Sequence, residues 1–187
     1  MKTDEGIIEK YLTELASVLN NIPRKPLIDI ADAIKKTRMA KRHIYIFGNG
    51  GSAATASHMA CDFGKNTRMA NKPNMRVMTF NDNMPTLSAY ANDEGYEVVF
   101  SEPLKSMAEP GDLVIAISGS GNSPNVLNGV KTAHAMGLTT IGLTGFAGGK
   151  LKDLVDICVI VPSNSIEQVE DVHLIIDHML TIILMQA

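Results

Sequence analysis

His58 and Asp62 stand four residues apart in an Ala-rich stretch, Ala53 to Phe63. On a helix that spacing puts them one above the other on one face. An imidazole and a carboxylate so placed can chelate a divalent cation or work as an acid/base pair. The same spacing suits a surface ion pair or a buried histidine bonded to its aspartate, and spacing alone leaves these open. A second set of titratable groups, Glu167, Glu170, Asp171, His173, Asp177 and His178, is threaded through Val169, Val172, Leu174, Ile175, Ile176 and Leu180 near the C-terminus. Polar groups this dense in an apolar helix are costly to bury without purpose, so some must face solvent and others a cleft. Glu170 and His178 are separated by eight positions, roughly 12 Å along a helix axis and about 80° around it. They could reach one point only through extended side chains, and spacing does not single the pair out. Asn92-Asp93, at the end of another helical stretch, suits a C-cap as readily as a ligand contact.

Two Gly/Ser clusters supply binding chemistry instead. Gly48-Asn49-Gly50-Gly51-Ser52 follows the apolar run His43–Phe47 and precedes the Ala-rich helix. Strand, tight glycine turn and helix N-terminus in that order form a seat for an anion, with Ser52 free to cap the helix or donate its hydroxyl. Ser118-Gly119-Ser120-Gly121-Asn122-Ser123-Pro124 repeats the arrangement after Leu113–Ile117. There hydroxyls and free N–H groups can hold a phosphate without a large positive charge. The first cluster also fits G-x-G-x-x-A, but a dinucleotide site wants an acidic residue about 20 positions further on. None lies near Arg68, and no P-loop motif occurs in the chain. A small sugar phosphate fits two short Ser/Gly loops better.

The elements that must position these groups follow from periodicity. Ile7, Ile8, Tyr11, Leu12, Leu15 and Leu19 recur at helical spacing, and Pro23 and Pro26 interrupt the pattern. A second helix is predicted from about Leu27 to Ala40, with Ile28, Ile30, Ala31 and Ile34 inside and Lys35, Lys36 and Arg38 outside. This pair precedes the alternation that follows and reads as an appended helical unit, or as a surface that covers a partner subunit. Buried strands are predicted at 44–47, 75–80, 113–117, 139–143 and 157–161. Helices are predicted at 53–63, 84–92, 97–107, 123–136 and 166–185, with a short helical turn at 150–154. About five strands with interleaved helices imply a parallel sheet covered on both faces, a three-layer, doubly wound α/β fold. Ligands in such sheets bind beyond the carboxyl ends of the strands.

Composition narrows the class. The chain has 187 residues, of which 45% are apolar and 20% charged, enough for one domain with a real core. Its net charge of −3 argues against a broad nucleic-acid-binding face. Cys61 and Cys158, the two cysteines, have no paired spacing, which suits a reducing compartment. The first residues lack an apolar signal core, and Asp177 and His178 interrupt the C-terminal apolar run. The expectation is a cytoplasmic protein with no membrane or nucleic-acid partner.

Taken together, Gly48-Asn49-Gly50-Gly51-Ser52, His58…Asp62, Asn92-Asp93, Ser118-Gly119-Ser120-Gly121-Asn122-Ser123, Leu143-Thr144-Gly145 with Gly148-Gly149-Lys150, and Glu170…His178 occur in an order and at spacings that resemble the sugar isomerase (SIS) domain family. Within it they resemble the phosphoheptose isomerases, which interconvert sedoheptulose 7-phosphate and D-glycero-D-manno-heptose 7-phosphate. The resemblance covers nearly the whole chain. It implies a single SIS domain over residues 1–187 with a flavodoxin-like sheet, in which 1–41 serve oligomerisation and 42–187 form the α/β core. It implies that Ser118, Gly119, Ser120 and Ser123 hold the phosphate. Asn49, Gly50, Gly51 and Ser52 would meet the sugar, with Asn92, Asp93 and Glu170 nearby. A zinc ion would be held by His58, Asp62, Glu170 and His178, and Asp62 and His178 would be the catalytic base and its acid/base partner. A homotetramer is also implied. The chain departs from the family pattern at three positions: Asp62 stands for a glutamate, Glu170 for a glutamine and Gly119 for a threonine. Two other readings belong to the same resemblance, another sugar-phosphate isomerase and a non-catalytic SIS tetramer that binds a protein such as the replication initiator. Ionisable groups at all four metal positions favour an enzyme.

Overall fold

The computed structural model describes residues 3–186. Five strands, β1 (His43–Gly48), β2 (Arg76–Thr79), β3 (Leu113–Ile117), β4 (Thr139–Thr144) and β5 (Ile157–Ile160), form one sheet in the order β2-β1-β3-β4-β5. Every neighbouring pair is parallel. Each strand lies within two residues of its predicted bounds. Among the described residues seven α-helices accompany them: α1 (Asp4–Asn20), α2 (Arg24–Met39), α3 (Gly51–Lys65), α4 (Met84–Asp93), α5 (Ser101–Met107), α6 (Pro124–Ala135) and α7 (Ile166–Gln186). The predicted helix over 97–107 is in fact two pieces, a 3₁₀ turn at Tyr96–Val98 and then α5. Between them Val99 and Phe100 drop into the core, Phe100 stacking on Phe47 with ring centroids 4.7 Å apart.

Side-chain alternation along the buried strands divides the core in two. Ile44, Ile46, Leu113, Ile115 and Ile117 face α2, α3 and α7. Tyr45, Phe47, Val114 and Ala116 face α5 and α6. The second helix is therefore more than an appendage, since Leu27, Ile30, Ala31 and Ile34 of α2 are buried in the first of these layers. Pro23 is its N-cap and Pro26 lies in its first turn, where a missing N–H costs nothing.

Two predicted orientations on α2 are reversed. Ile28 was expected inside and is 55% exposed. Arg38 was expected outside and is 4% exposed. Its Nε donates to the Pro73 carbonyl at 2.7 Å and its Nη2 to the Thr67 carbonyl at 3.0 Å, so it ties the 66–75 loop to α2. Periodicity assigns a charged residue to solvent, but the loop offers this one carbonyl oxygens in place of water. Burial lowers the Arg38 pKa, yet a guanidinium stays charged there.

Removing that group strands two carbonyls and loosens a loop. Arg38→Ala is expected to cost about 3 kcal/mol, with the urea midpoint lowered and the slope unchanged. An unshifted midpoint would mean that the loop is held by other contacts.

Candidate active site

Both Gly/Ser loops lie at the carboxyl edge of the sheet, one after β1 and one after β3, strands that are neighbours. Asn49, Ser52, Ser118, Gly119, Ser120, Ser123, Ile166 and Glu170 line a pocket of about 180 Å³ between them. That is smaller than the roughly 300–1,000 Å³ of drug-sized sites and suits a phosphate with the adjoining part of a chain better than a dinucleotide.

The serine loop is held from behind. Ser118 Oγ and Ser123 Oγ are 3.2 Å apart, and Ser120 Oγ accepts from the Asn122 N–H. The loop after β4 buttresses it. Gly145 N–H donates to Gly119 O at 2.9 Å, Leu151 N–H to Gly121 O at 3.0 Å, and Lys150 N–H to Asn122 Oδ1 at 3.2 Å. The two backbones meet at Gly121, where φ is +64° and a Cβ would stand 2.2 Å from the Gly148 carbonyl oxygen. Across the contact Gly149, at φ +55°, is under the same constraint, since a Cβ there would stand 2.5 Å from the Ser120 carbonyl oxygen. Gly119 has a different reason to lack a side chain, because a Cβ there would stand 2.5 Å from Ile166 Cδ1. Ile166 thus occupies the space that a threonine would take.

In the first loop the Asn49 amide is fixed twice over. It exchanges hydrogen bonds with the Asn125 amide at 2.9 and 2.8 Å, and its Oδ1 accepts from Tyr96 Oη at 3.0 Å. Sequence reasoning missed both Asn125 and Tyr96. A buried asparagine in the first turn of α6 was the available signal. Asn92 and Asp93 are exposed at the end of α4, where Asn92 Nδ2 donates to Asp93 Oδ1. They do not line the pocket; Tyr96, just beyond them, is the residue from that segment that reaches Asn49.

Helices α3 and α7 lie against each other and run the same way, so equivalent turns face one another. At the start of both, Glu170 presses on Gly51 so closely that a Cβ at 51 would be 2.5 Å from Glu170 Oε2. A carboxylate at a helix N-terminus is favourably placed. Two turns further along, His58 Nε2 stands 3.3 Å from His178 Nε2 and 3.6 Å from Asp62 Oδ2. Asp62 is oriented by Asn66, whose Nδ2 donates to Oδ1 at 2.9 Å. The structure therefore brings His58, Asp62 and His178 together as the sequence suggested. It leaves Glu170 at the serine pocket, and sets Asp177 with the other three, one donor atom of each lying within 4.8 Å of every other.

Two imidazoles and two carboxylates are donors that suit zinc or a similar dication. Tetrahedral bonds of about 2.0–2.1 Å put ligand atoms roughly 3.3 Å apart, close to the spacing from His58 to His178. Asp177 is fully buried, Thr181 Oγ1 donates to its Oδ1 at 3.4 Å, and its Oδ2 has no hydrogen-bond partner among the described residues. Burial, and then the neighbouring Asp62 carboxylate, raise its pKa to about 7. A cation is what such a carboxylate needs, so the residues present fit a metal.

His173 lies deeper, 1% exposed, with Nε2 3.3 Å from the Thr144 carbonyl at the end of β4 and Nδ1 unpartnered. Desolvation lowers its pKa from 6.5 to about 4, against the weaker opposite pull of the Thr144 bond.

Several known proteins are similar to this chain in sequence and fold. The SIS domain family model matches residues 10–145. A phosphoheptose isomerase of Aliarcobacter butzleri is 37% identical over 178 residues, covering 92% of this chain and 92% of its own. That of Akkermansia muciniphila is 34% identical over 174 residues, covering 93% of this chain and 88% of its own. The solved structure of phosphoheptose isomerase GmhA from Neisseria gonorrhoeae superposes with a TM-score of 0.92 at 27% identity, over 99% of this chain and all of that one.

Because the folded-state pKa of His173 is depressed, its contribution to stability is complete above pH 6.5. It is lost as the pH falls from there toward 4, where the unfolded chain takes up a proton and the folded chain does not. The loss is on the order of 3 kcal/mol. A His173→Gln variant should show a flatter denaturation midpoint across pH 4–6.5; a midpoint that falls as steeply as in the parent would show that His173 is not responsible.

Proposed function

The chain belongs to the SIS domain family, on its phosphoheptose isomerase branch, and we propose that it is an aldose–ketose isomerase that converts sedoheptulose 7-phosphate to D-glycero-D-manno-heptose 7-phosphate. The observation that carries this reading is that two clusters share one pair of helices. The serine pocket lies at the start of α3 and α7, and His58, Asp62 and His178 gather two turns further along them. From Ser52 to His58 is about 9 Å along α3, and from Glu170 to His178 about 12 Å along α7. An extended chain advances roughly 1.2 Å per bond, so the seven bonds from phosphorus to C2 of a heptose 7-phosphate span about 8–9 Å. A phosphate seated among the serines thus brings C1 and C2 toward the Asp62 end.

The Ser118, Ser120 and Ser123 hydroxyls and the loop N–H groups around Gly119 hold the phosphate in this reading. Asn49, locked by Asn125 and Tyr96, meets the sugar chain together with Gly50, Gly51 and Ser52, and Glu170 accepts from its hydroxyls. Asp62 removes a proton from C1 beside the C2 carbonyl, leaving a cis-enediol. His178 gives a proton to O2 and takes one from O1, and Asp62 returns its proton to C2. Atoms balance, and no redox partner is needed. Asp62 is a methylene shorter than the glutamate it stands for, and the Asn66 bond fixes its direction. A divalent cation, zinc by the chemistry of its donors, would be held by His58, Asp62 and His178 and would supply Lewis-acid polarisation of the carbonyl oxygen.

We place the protein in the cytoplasm as a homotetramer, one SIS domain over 1–187 with residues 1–41 in the subunit contacts and 42–187 as the α/β core. Ile7, Ile8 and Leu12 on α1 and Ile182, Ile183 and Met185 on α7 are exposed, which supports an apolar contact there. Among the described residues no helix is long and apolar enough to cross a membrane. The net charge of −3 favours no nucleic-acid partner.

The test is conversion of sedoheptulose 7-phosphate followed by NMR. Asp62→Asn and His178→Ala should each lower kcat by at least about 100-fold with KM little changed. Ser120→Ala should raise KM with kcat nearly kept. Full activity in either of the first two variants would remove those residues from the proton transfers, and no turnover by the folded parent would move the substrate to another sugar phosphate.

A further inference from the structure

We propose that Asp177, and not Glu170, completes the cation site, giving a His58, Asp62, Asp177, His178 donor set with two carboxylates. Three observations, two on Asp177 and one on Glu170, carry this. Asp177 is 0% exposed, and its Oδ2 has no hydrogen-bond partner among the described residues. An orphaned carboxylate oxygen in an interior is costly unless a cation meets it. The second observation is that Asp177 offers a donor within 4.8 Å of those of His58, Asp62 and His178. The third is that Glu170 is committed elsewhere, its carboxylate packed on Gly51 and lining the serine pocket.

Helix geometry explains the exchange. Seven residues on a helix return to within about 20° of the same face, whereas eight overshoot by about 80°. Gly51 and His58 are seven apart on α3; Glu170 and Asp177 are seven apart on α7. Because the two helices run side by side in the same direction, Gly51 meets Glu170 and His58 meets Asp177. His178, one position further, reaches the cluster from the exposed side. The donors therefore grade from buried Asp177 through half-buried Asp62 to exposed His58 and His178, which keeps the protein beneath the cation and access from solvent above it. Two carboxylates balance a dication's charge and Thr181 and Asn66 hold one oxygen of each, as outer partners of metal ligands do. Glu170 is thereby left at the serine pocket, where its charge is countered by the start of α3.

The inference deepens the isomerase reading at its own site, but its test reads metal and so succeeds or fails apart from turnover. Zinc affinity is measured by competition with a chromophoric chelator on the folded full-length chain. The Co²⁺ absorption spectrum reports donor number and type. Asp177→Asn, nearly equal in volume, should weaken zinc at least 10-fold and change the Co²⁺ spectrum, as should Asp62→Asn. Glu170→Gln should leave affinity within about twofold and the spectrum unaltered. Parent-like zinc affinity and spectrum in Asp177→Asn would overturn the proposal. So would loss of zinc in Glu170→Gln, a surface-accessible change that decides the matter even if Asp177→Asn does not fold, and so would a parent protein that binds no zinc at all.

Discussion

The parallel packing of α3 against α7 is the constraint on which the rest depends. Neither helix carries a complete site. α3 contributes a glycine turn, His58 and Asp62; α7 contributes Glu170, Asp177 and His178. Their apolar residues, Ala56, Met59 and Phe63 on one and Val169, Val172, Ile176 and Leu180 on the other, share one core with the sheet. That core fixes the rotation and register of each helix, and rotation decides which titratable groups meet. The result is a carboxylate at the serine pocket and, two turns away, a cluster of two imidazoles and two carboxylates.

The sheet supplies the other half of the site. With the order β2-β1-β3-β4-β5, the loop after β1 and the loop after β3 come out side by side, pointing to the same edge. The chain reverses its winding between these two strands, and that is where doubly wound sheets leave a crevice. The loop after β4 then closes on the serine loop largely through backbone bonds, and the Asn49–Asn125 amide pair ties in the loop after β1. On the isomerase reading, a rigid backbone seat for the phosphate paired with side-chain chemistry on helices separates binding from proton transfer, and the distance along α3 sets which carbon would reach Asp62.

Much of this was legible in the chain. The apolar runs gave the strands to within two residues, because buried parallel strands are continuous hydrophobic segments between glycine-bearing turns. The i, i+4 pair His58 and Asp62 and the Ser118–Ser123 loop could be found without coordinates. Arg38 could not, because its partners are carbonyls of a loop some thirty residues further on that has no periodicity of its own. Asn125 and Tyr96 escaped for a similar reason, since what makes them matter is Asn49, distant in sequence and adjacent in space.

Local pattern determined the elements, their order and the chemical character of both loops. These depend on hydrophobic period and on the conformational freedom of glycine, which short segments already express. Tertiary structure alone decided the membership of the site. In isolation α7 offers six titratable groups within twelve residues, and a family pattern points to Glu170 and His178 among them. Only when α7 is set against α3 does Glu170 fall on Gly51 and Asp177 fall into the histidine cluster. A helix repeats every 3.6 residues, so the face a residue presents is known from sequence, but what that face meets depends on the rotation imposed by the core.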